Sequence, residues 1–253
     1  MNRYFRLQYV IGLLSLSLLA SCSTKSDDTP APTGGALSGS VQLWDDKTTT
    51  LSDNSGVTVA IDDLTGISTT TDATGKYSFA SVAYGLHDLT FNKAGYGTFR
   101  LFGVSNNTMT TSAGTVLPAV QLGKLATTSV SSLTVSGNIY NGSPGVSVLY
   151  SVAPTPAASS RGYVRYFLST DPTVSSTNYV YASPVVSVLN NNVTGGFTKE
   201  DLLTAGFKSG QTLYIRLYGE SVQSNSYTDP NVGVRVYPNL NPTTPAAVSF
   251  MMP

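Results

Sequence analysis

Hydrophobic and polar positions alternate with period two along most of this chain, the pattern of strands that bury one face and wet the other. From Ala36 onward Leu37, Val41 and Leu43 are interleaved with Ser38, Ser40 and Gln42, and Val57, Val59 and Ile61 with Thr58, Ala60 and Asp62. Tyr77 and Phe79 continue the series, then His87, Leu89 and Phe91, then Phe99 and Leu101, with a last strand at Val116 to Leu122. Turn formers separate these runs: Asp45-Asp46, Asp53-Asn54-Ser55-Gly56, Asp72-Ala73-Thr74-Gly75 and Lys93-Ala94-Gly95-Tyr96. In the third of them Asp can accept from local N–H groups while Gly takes positive φ, which suits a tight reversal.

Residues 123–132 (G-K-L-A-T-T-S-V-S-S) form a polar seam, read as a domain boundary. Beyond it, alternation predicts strands at Leu133–Tyr140, Val146–Val152, Gly162–Ser169, Tyr179–Leu189, Thr212–Gly219, Gly233–Tyr237 and Val248–Met252. Short strands spaced by Gly, Pro and Asn argue a second sandwich. One segment breaks the rhythm: Thr198-Lys199-Glu200-Asp201-Leu202-Leu203 starts on a capping residue, carries acid in its first turn and stops before Gly206, so it predicts a short helix. The expected fold class is all-β, with two tandem β-sandwich domains at 36–124 and 131–253.

The amino terminus follows different rules. An apolar run of about twelve residues begins near Tyr9, after Arg3 and Arg6 and without an acidic residue, as in a secretory signal. It is too short to span a bilayer as a mature helix. It ends in Leu19-Ala20-Ser21-Cys22, which resembles the lipobox of bacterial lipoproteins. That resemblance implies removal of residues 1–21 and acylation of the Cys22 thiol and freed amine. Lipidation would consume the sole cysteine, which has no disulfide partner in an exported chain. Several acyl chains make a stable anchor where one would be reversible.

Residues 22–35 would then be the lipidated cysteine and a polar tether with two prolines and terminal glycines. Ser23 stands where an aspartate would resemble an inner-membrane retention signal, and Asp27-Asp28 is similar to the acidic export signal of Bacteroidetes surface lipoproteins. The expected location is the outer membrane, with surface exposure favoured over a periplasmic orientation.

The run G-V-T-V, T-T-D-A-T-G-K-Y-S-F and Y-G-L-H-D-L-T-F-N-K-A-G-Y, within Ala36 to Leu122, resembles the carboxypeptidase regulatory-like domain. That family implies a small transthyretin-like sandwich with no catalytic residues of its own, and hence a structural or interaction role. Phe207 to Tyr218 resembles the penultimate strand of a fibronectin type III-like domain. With Ile215 and Leu217 inward, Leu213 holds the position of that family's corner tyrosine and Tyr214 faces out, so an immunoglobulin-like sandwich stays open.

Composition narrows the chemistry. Lys+Arg and Asp+Glu balance at 14 each, and loss of Arg3 and Arg6 with the signal leaves a slightly acidic chain with no electrostatic reason to hold nucleic acid. His87 is the sole histidine, and its alternation with Leu89 and Phe91 reads as a packed strand residue. The sequence therefore offers no His/Cys zinc set, no Ser–His or Cys–His nucleophile and no cofactor motif. A carboxylate-only hydrolase would need two facing acids. Asp45/Asp46, Asp62/Asp63 and Glu200/Asp201 are sequence neighbours, whose side chains diverge in a strand. Asp62, Asp63 and Asp72 could offer calcium oxygen ligands but lack the D-x-D-x-D-G spacing. Aromatics remain. Trp44, Tyr163, Tyr166, Tyr214 and Tyr218, with Tyr179 and Tyr181, could form a flat surface for a sugar or a protein, or could simply cover a sandwich face. The expectation is a non-enzymatic envelope lipoprotein with a structural, adhesive or assembly role. Its partners would be the membrane through Cys22 and a protein or polysaccharide at the envelope, with accessory glycan binding as the alternative.

Overall fold

The computed structural model describes residues 33–107, 114–157 and 159–253; the signal segment, Cys22 and most of the tether lie outside these. Thr33–Pro253 form one compact unit. It is all-β, and among the described residues no helix is long and apolar enough to cross a membrane.

The first body contains β1 (Gly34–Trp44), β2 (Thr58–Ile61), β3 (Ser68–Thr70), β4 (Lys76–Ala83), β5 (Gly85–Asn92), β6 (Phe99–Asn106), β7 (Thr115–Val116) and β8 (Val120–Gly123). In one sheet β1 pairs antiparallel with β4 on one side, and parallel with β7 and then β8 on the other. The second sheet runs β3-β2-β5-β6, all antiparallel. The alternation seen in the sequence sets the inner faces: Leu37, Val41, Leu43, Val59, Ile61, Tyr77, Phe79, Leu89 and Phe91 form the core between the sheets. Each fully buried large apolar side chain there contributes about 1.5–3 kcal/mol. The 72–75 reversal forms as its residues dictate. Gly75 N donates to Asp72 O at 2.9 Å, Asp72 Oδ1 accepts from Thr74 N at 2.8 Å and Lys76 N at 3.0 Å, and Gly75 has φ +83°.

The second body contains β9 (Ser129–Ser136), β10 (Ile139–Tyr140), β11 (Ser143–Ala153), β12 (Gly162–Ser169), β13 (Tyr181–Ala182), β14 (Val186–Val188), β15 (Asn192–Thr198), α1 (Lys199–Thr204), β16 (Thr212–Gly219), β17 (Tyr227–Asp229), β18 (Val234–Val236) and β19 (Val248–Met251). β11 is flanked by β9 and β15 in one sheet. In the other, β12 lies between β16 and the pair β13 and β14, and β19 follows β16. Val148, Tyr150, Val164, Tyr166, Leu168, Leu213, Ile215 and Leu217 fill the space between them. The short helix starts where its cap placed it: Thr198 Oγ1 accepts from Asp201 N, and Asp201 Oδ2 accepts from Thr198 N at 2.8 Å.

Some elements differ from the sequence expectation, each for a physical reason. β15 was not expected, because Gly195-Gly196 interrupts its alternation; pairing with β11 from Ser151↔Asn192 to Gly145↔Thr198 holds it. The span expected at Tyr179–Leu189 breaks into β13 and β14 around Pro184, which has no N–H to donate. β18 is not a sandwich strand. It pairs with β17 in a separate two-stranded ribbon.

That ribbon belongs to a long excursion, residues 220–247, between β16 and β19. The excursion lies over the outer face of the β12–β16 sheet, so every residue of β12 is buried. Phe167, Val174 and Tyr218 form a second cluster there, packed with Tyr179, Tyr214, Tyr237 and Leu240. The second body thus has three layers.

Candidate functional site

The aromatic residues singled out by sequence do not form an exposed platform. Tyr163, Tyr166 and Tyr218 are 8%, 4% and 7% exposed. Tyr166 points into the main core, where its ring meets Tyr150 and Phe197 edge-on at 5.8 Å and 5.4 Å. Tyr214 and Tyr218 share the outer sheet face, as alternation required, but the 220–247 excursion covers it. Trp44 is half-buried in the first body, and its Nε1 donates to Gln121 Oε1 at 2.5 Å. The lipobox residues Leu19, Ala20, Ser21 and Cys22 lie outside the described residues.

Beneath the excursion sits a buried ion pair that the sequence did not announce. Arg165 Nε donates to Glu220 Oε2 at 2.7 Å, Arg165 Nη1 donates to Ser183 O, and the guanidinium stacks on Tyr237 with Cζ 4.1 Å from the ring centroid. Glu220 is 1% exposed, and its Oε1 has no partner among the described residues. Burial pushes its carboxyl up to about 7 against the pull of Arg165.

The carboxylates expected to diverge do so. Asp62 accepts from Arg100 Nη2 at 2.8 Å and from Thr90 Oγ1 at 2.9 Å, whereas Asp63 Oδ2 holds His87 Nδ1 at 2.8 Å. His87 is 4% exposed, and its Nε2 faces Ala83 O at 2.8 Å. Burial disfavours its charge, but both ring nitrogens face acceptors, so the net effect raises its pKa. Among the described residues no group of three or more His, Cys, Asp or Glu side chains converges on a possible metal position. Asp45 accepts from Lys47 N and Thr49 N in its own turn. Asp46 is buried and accepts from Thr127 N at 3.0 Å and Thr127 Oγ1 at 2.6 Å. Burial opposes its charge, yet those bonds and Lys47 hold its carboxyl below the usual range.

The Thr127 contact is part of a polar junction between the two bodies, in the stretch that composition marks as a seam. Asn239 is 0% exposed; its Oδ1 accepts from Gly97 N at 3.1 Å, and its Nδ2 donates to Asn225 Oδ1 at 2.7 Å and to Gln223 O. Asn225 Oδ1 also accepts from Gly123 N at 2.6 Å, and its Nδ2 donates to Gln121 O. Ala126 N donates to Asn239 O at 2.9 Å, and Ser221 Oγ to Lys124 O. A Cβ on Gly97 would collide with the Pro238 backbone, so the close approach depends on that glycine. Around these amides, Tyr227 packs edge-on against Phe99 at 5.7 Å, and Arg100 reaches Asp229 at 3.5 Å.

Several grooves indent the surface of the described residues, two of them of about 500 Å³ or more. One, of about 500 Å³ on the first body, is lined by the hydroxyls of Ser38, Ser40, Thr69, Thr70 and Ser78 with Lys76, of which the register Ser38↔Ser78 and Ser40↔Lys76 brings the β1 and β4 members together; its tyrosine, Tyr77, is 4% exposed and offers no open ring. The other, of about 540 Å³, opens on the edge of the second sandwich, where β15 and the β13–β14 pair end their sheets without bonding to each other. Tyr166, Tyr181 and Phe197 wall it, and α1 closes it with Asp201 and Thr204. Tyr181 and Phe197 meet at 86° with centroids 6.2 Å apart, forming a corner of ring surface. Tyr181 was among the aromatics visible in the sequence; β15, which supplies Phe197, was not.

The fold and its surface define a β-sandwich protein of two joined bodies. No family model matches the sequence, and no curated protein matches it. Among solved structures it is similar to a type II cohesin–X-dockerin complex from Acetivibrio cellulolyticus, at 26% identity and a TM-score of 0.29, over 35% of this chain and 57% of that one. This chain therefore spans little more than half the length of that protein. It is also similar to a DUF3823 family protein from Parabacteroides merdae (14% identity, TM-score 0.30) and a candidate carbohydrate-binding protein from Bacteroides uniformis (15%, 0.30), each over 87% of this chain and 100% of the other.

Proposed function

We propose that this chain is a non-catalytic, lipid-anchored envelope protein whose two sandwiches act as one stiff body in adhesion or assembly. The observation that carries the reading is the junction. Asn225 and Asn239 are buried between the bodies, and their amides bond to both sides. A flexible linker would leave such groups wet, whereas burying them fixes one arrangement. A stiff body suits a protein that presents or spaces surfaces. In this reading the first body is a regulatory-like module and the second a fibronectin type III-like or immunoglobulin-like one. Cys22 carries the acyl chains on the outer membrane of a Bacteroidetes-type cell, facing outward.

The test is labelling and fractionation. Cells fed a radiolabelled fatty acid should incorporate label into the native protein, and Cys22→Ser should abolish label and release the protein from membranes. Label retained in Cys22→Ser, or a native amino terminus with an unmodified Cys22 by mass spectrometry, would overturn the anchor. Full protection from protease added to intact cells would place the protein on the periplasmic side.

A further inference from the structure

The groove at the open edge of the second sandwich combines ring surface with polar groups that make no hydrogen bond among the described residues. Tyr181 and Phe197 make the corner wall, and Tyr166 lies behind them. At the rim, Asp201 spends Oδ2 on the Thr198 cap, while its Oδ1 makes no hydrogen bond among the described residues. The same holds for the Tyr181 and Thr204 hydroxyls, whereas Ser183 Oγ is committed to Pro184 O at 2.7 Å. The Tyr181 hydroxyl is held above its ordinary range, by burial first and then by the Asp201 charge, which places the two groups in one electrostatic neighbourhood.

The lining also excludes ligand classes. It contains no Lys, Arg or His, and Asp201 is its single charge. A phosphate, sulfate or uronate would meet the Asp201 carboxylate, while Arg165, whose charge reaches Tyr181, is already committed to Glu220 and Ser183 O. A purely apolar ligand would strand the Asp201 oxygen and two hydroxyls. A neutral sugar ring satisfies both halves: its C–H face lies on an aromatic ring, and its hydroxyls both donate to a carboxylate oxygen and exchange hydrogen bonds with Tyr and Thr. A volume of about 540 Å³ suits one or two such rings.

We infer that this groove is a binding site for a neutral saccharide, with Tyr181 as the stacking platform and Asp201 Oδ1 and Thr204 Oγ1 as hydroxyl partners. The site goes beyond the anchored-body reading and needs no lipid on Cys22, so either can fail alone.

The experiment is calorimetric titration of the purified full chain with maltohexaose, cellohexaose, xylohexaose and mannohexaose, with trigalacturonate and tetramethylammonium chloride as contrasts. At least one neutral hexasaccharide should bind with a Kd of about 1 mM or tighter, as expected for a few ring contacts. Tyr181→Ala should weaken that binding roughly tenfold or more, while Tyr181→Trp restores it. The melting temperature of each variant should stay near that of the native chain, since Tyr181 is only half-buried. No binding by any neutral sugar, binding unchanged in Tyr181→Ala, or binding of tetramethylammonium or trigalacturonate in place of the neutral sugars would each overturn the assignment.

Discussion

Replacing Asn239 with alanine should uncouple the two bodies. The side chain is fully buried and serves both sides: Oδ1 takes the Gly97 N–H from the first body, and Nδ2 reaches Asn225 and Gln223 in the second. Alanine leaves the Gly97 N–H without an acceptor, at a cost of about 1–3 kcal/mol, and forfeits two further bonds worth about 1 kcal/mol each. The main-chain bond from Ala126 N to Asn239 O survives, so the total should be about 3–5 kcal/mol. At about 2–4 °C per kcal/mol for a chain of this size, the affected transition should fall by roughly 6–20 °C. Trp44, the sole tryptophan, lies opposite Gly123 in the β1–β8 register, so its fluorescence follows the junction side of the first body. Circular dichroism follows both bodies. In the native chain the two melting curves should coincide; in Asn239→Ala they should separate, because the bodies no longer unfold together. Asn225→Ala should act through the same network, so the double variant should cost less than the sum of the singles. Coincident curves in Asn239→Ala with a midpoint shift below about 1 °C would refute the claim that buried amides couple the bodies.

Three further outcomes follow from single sites. Gly75→Ala should destabilise the first body by more than about 2 kcal/mol in urea unfolding, since its φ is +83° and a Cβ would strike the Val41 carbonyl. Gly66→Ala, at φ +80° with nothing within 4 Å, should cost only about 1 kcal/mol, and equal costs would sink the steric account. Glu220 binds its proton more tightly folded (about 7) than unfolded (4.5), so its contribution should make stability fall as pH rises between those values; Glu220→Gln should flatten that part of the pH–stability curve, and an unchanged slope would contradict it. His87 also has a raised folded pKa, so its pairing with Asp63 stabilises fully below the ordinary 6.5 and is lost as pH climbs through the folded value. His87→Gln should remove that loss, and native-like pH dependence in the variant would show that the imidazole is not charged in the fold.

How much of this the sequence discloses depends on whether a residue's environment is local. Leu37, Tyr77, Phe79, Leu89 and Phe91 face inward because alternation alone decides it, and Asp72 and Gly75 make their turn with neighbours two to four residues away. The helix cap at Thr198 and Asp201 is equally local. β15 is invisible because its reason for existing is β11, more than forty residues earlier, and its two glycines silence the period-two signal. The junction fails for a related reason. Asn225 and Asn239 stand in turn-rich, polar sequence, where an asparagine reads as a solvated loop residue; only the approach of Gly97 and Gly123 from the first body turns them into core.

The covered face of the β12–β16 sheet links these observations to binding. Tyr163, Tyr214 and Tyr218 alternate correctly for an outer face, which is why they suggest a platform, yet residues 220–247 bury that face with a segment of low apolar content. Burying an Arg beside a Glu under such a segment is costly unless the pair is closely held, and Tyr237 stacking on Arg165 supplies that hold. With one face of the sheet in the core and the other under the excursion, the sheet offers no open platform of rings. At the edge between β15 and the interrupted β13–β14 strand, half-buried Tyr181 lines a groove beside the buried Phe197. The aromatic richness that suggests a flat platform in the sequence therefore becomes, in the fold, a cleft beside a strand end, where a ligand's ring plane meets Tyr181 and its hydroxyls meet the free oxygen of Asp201.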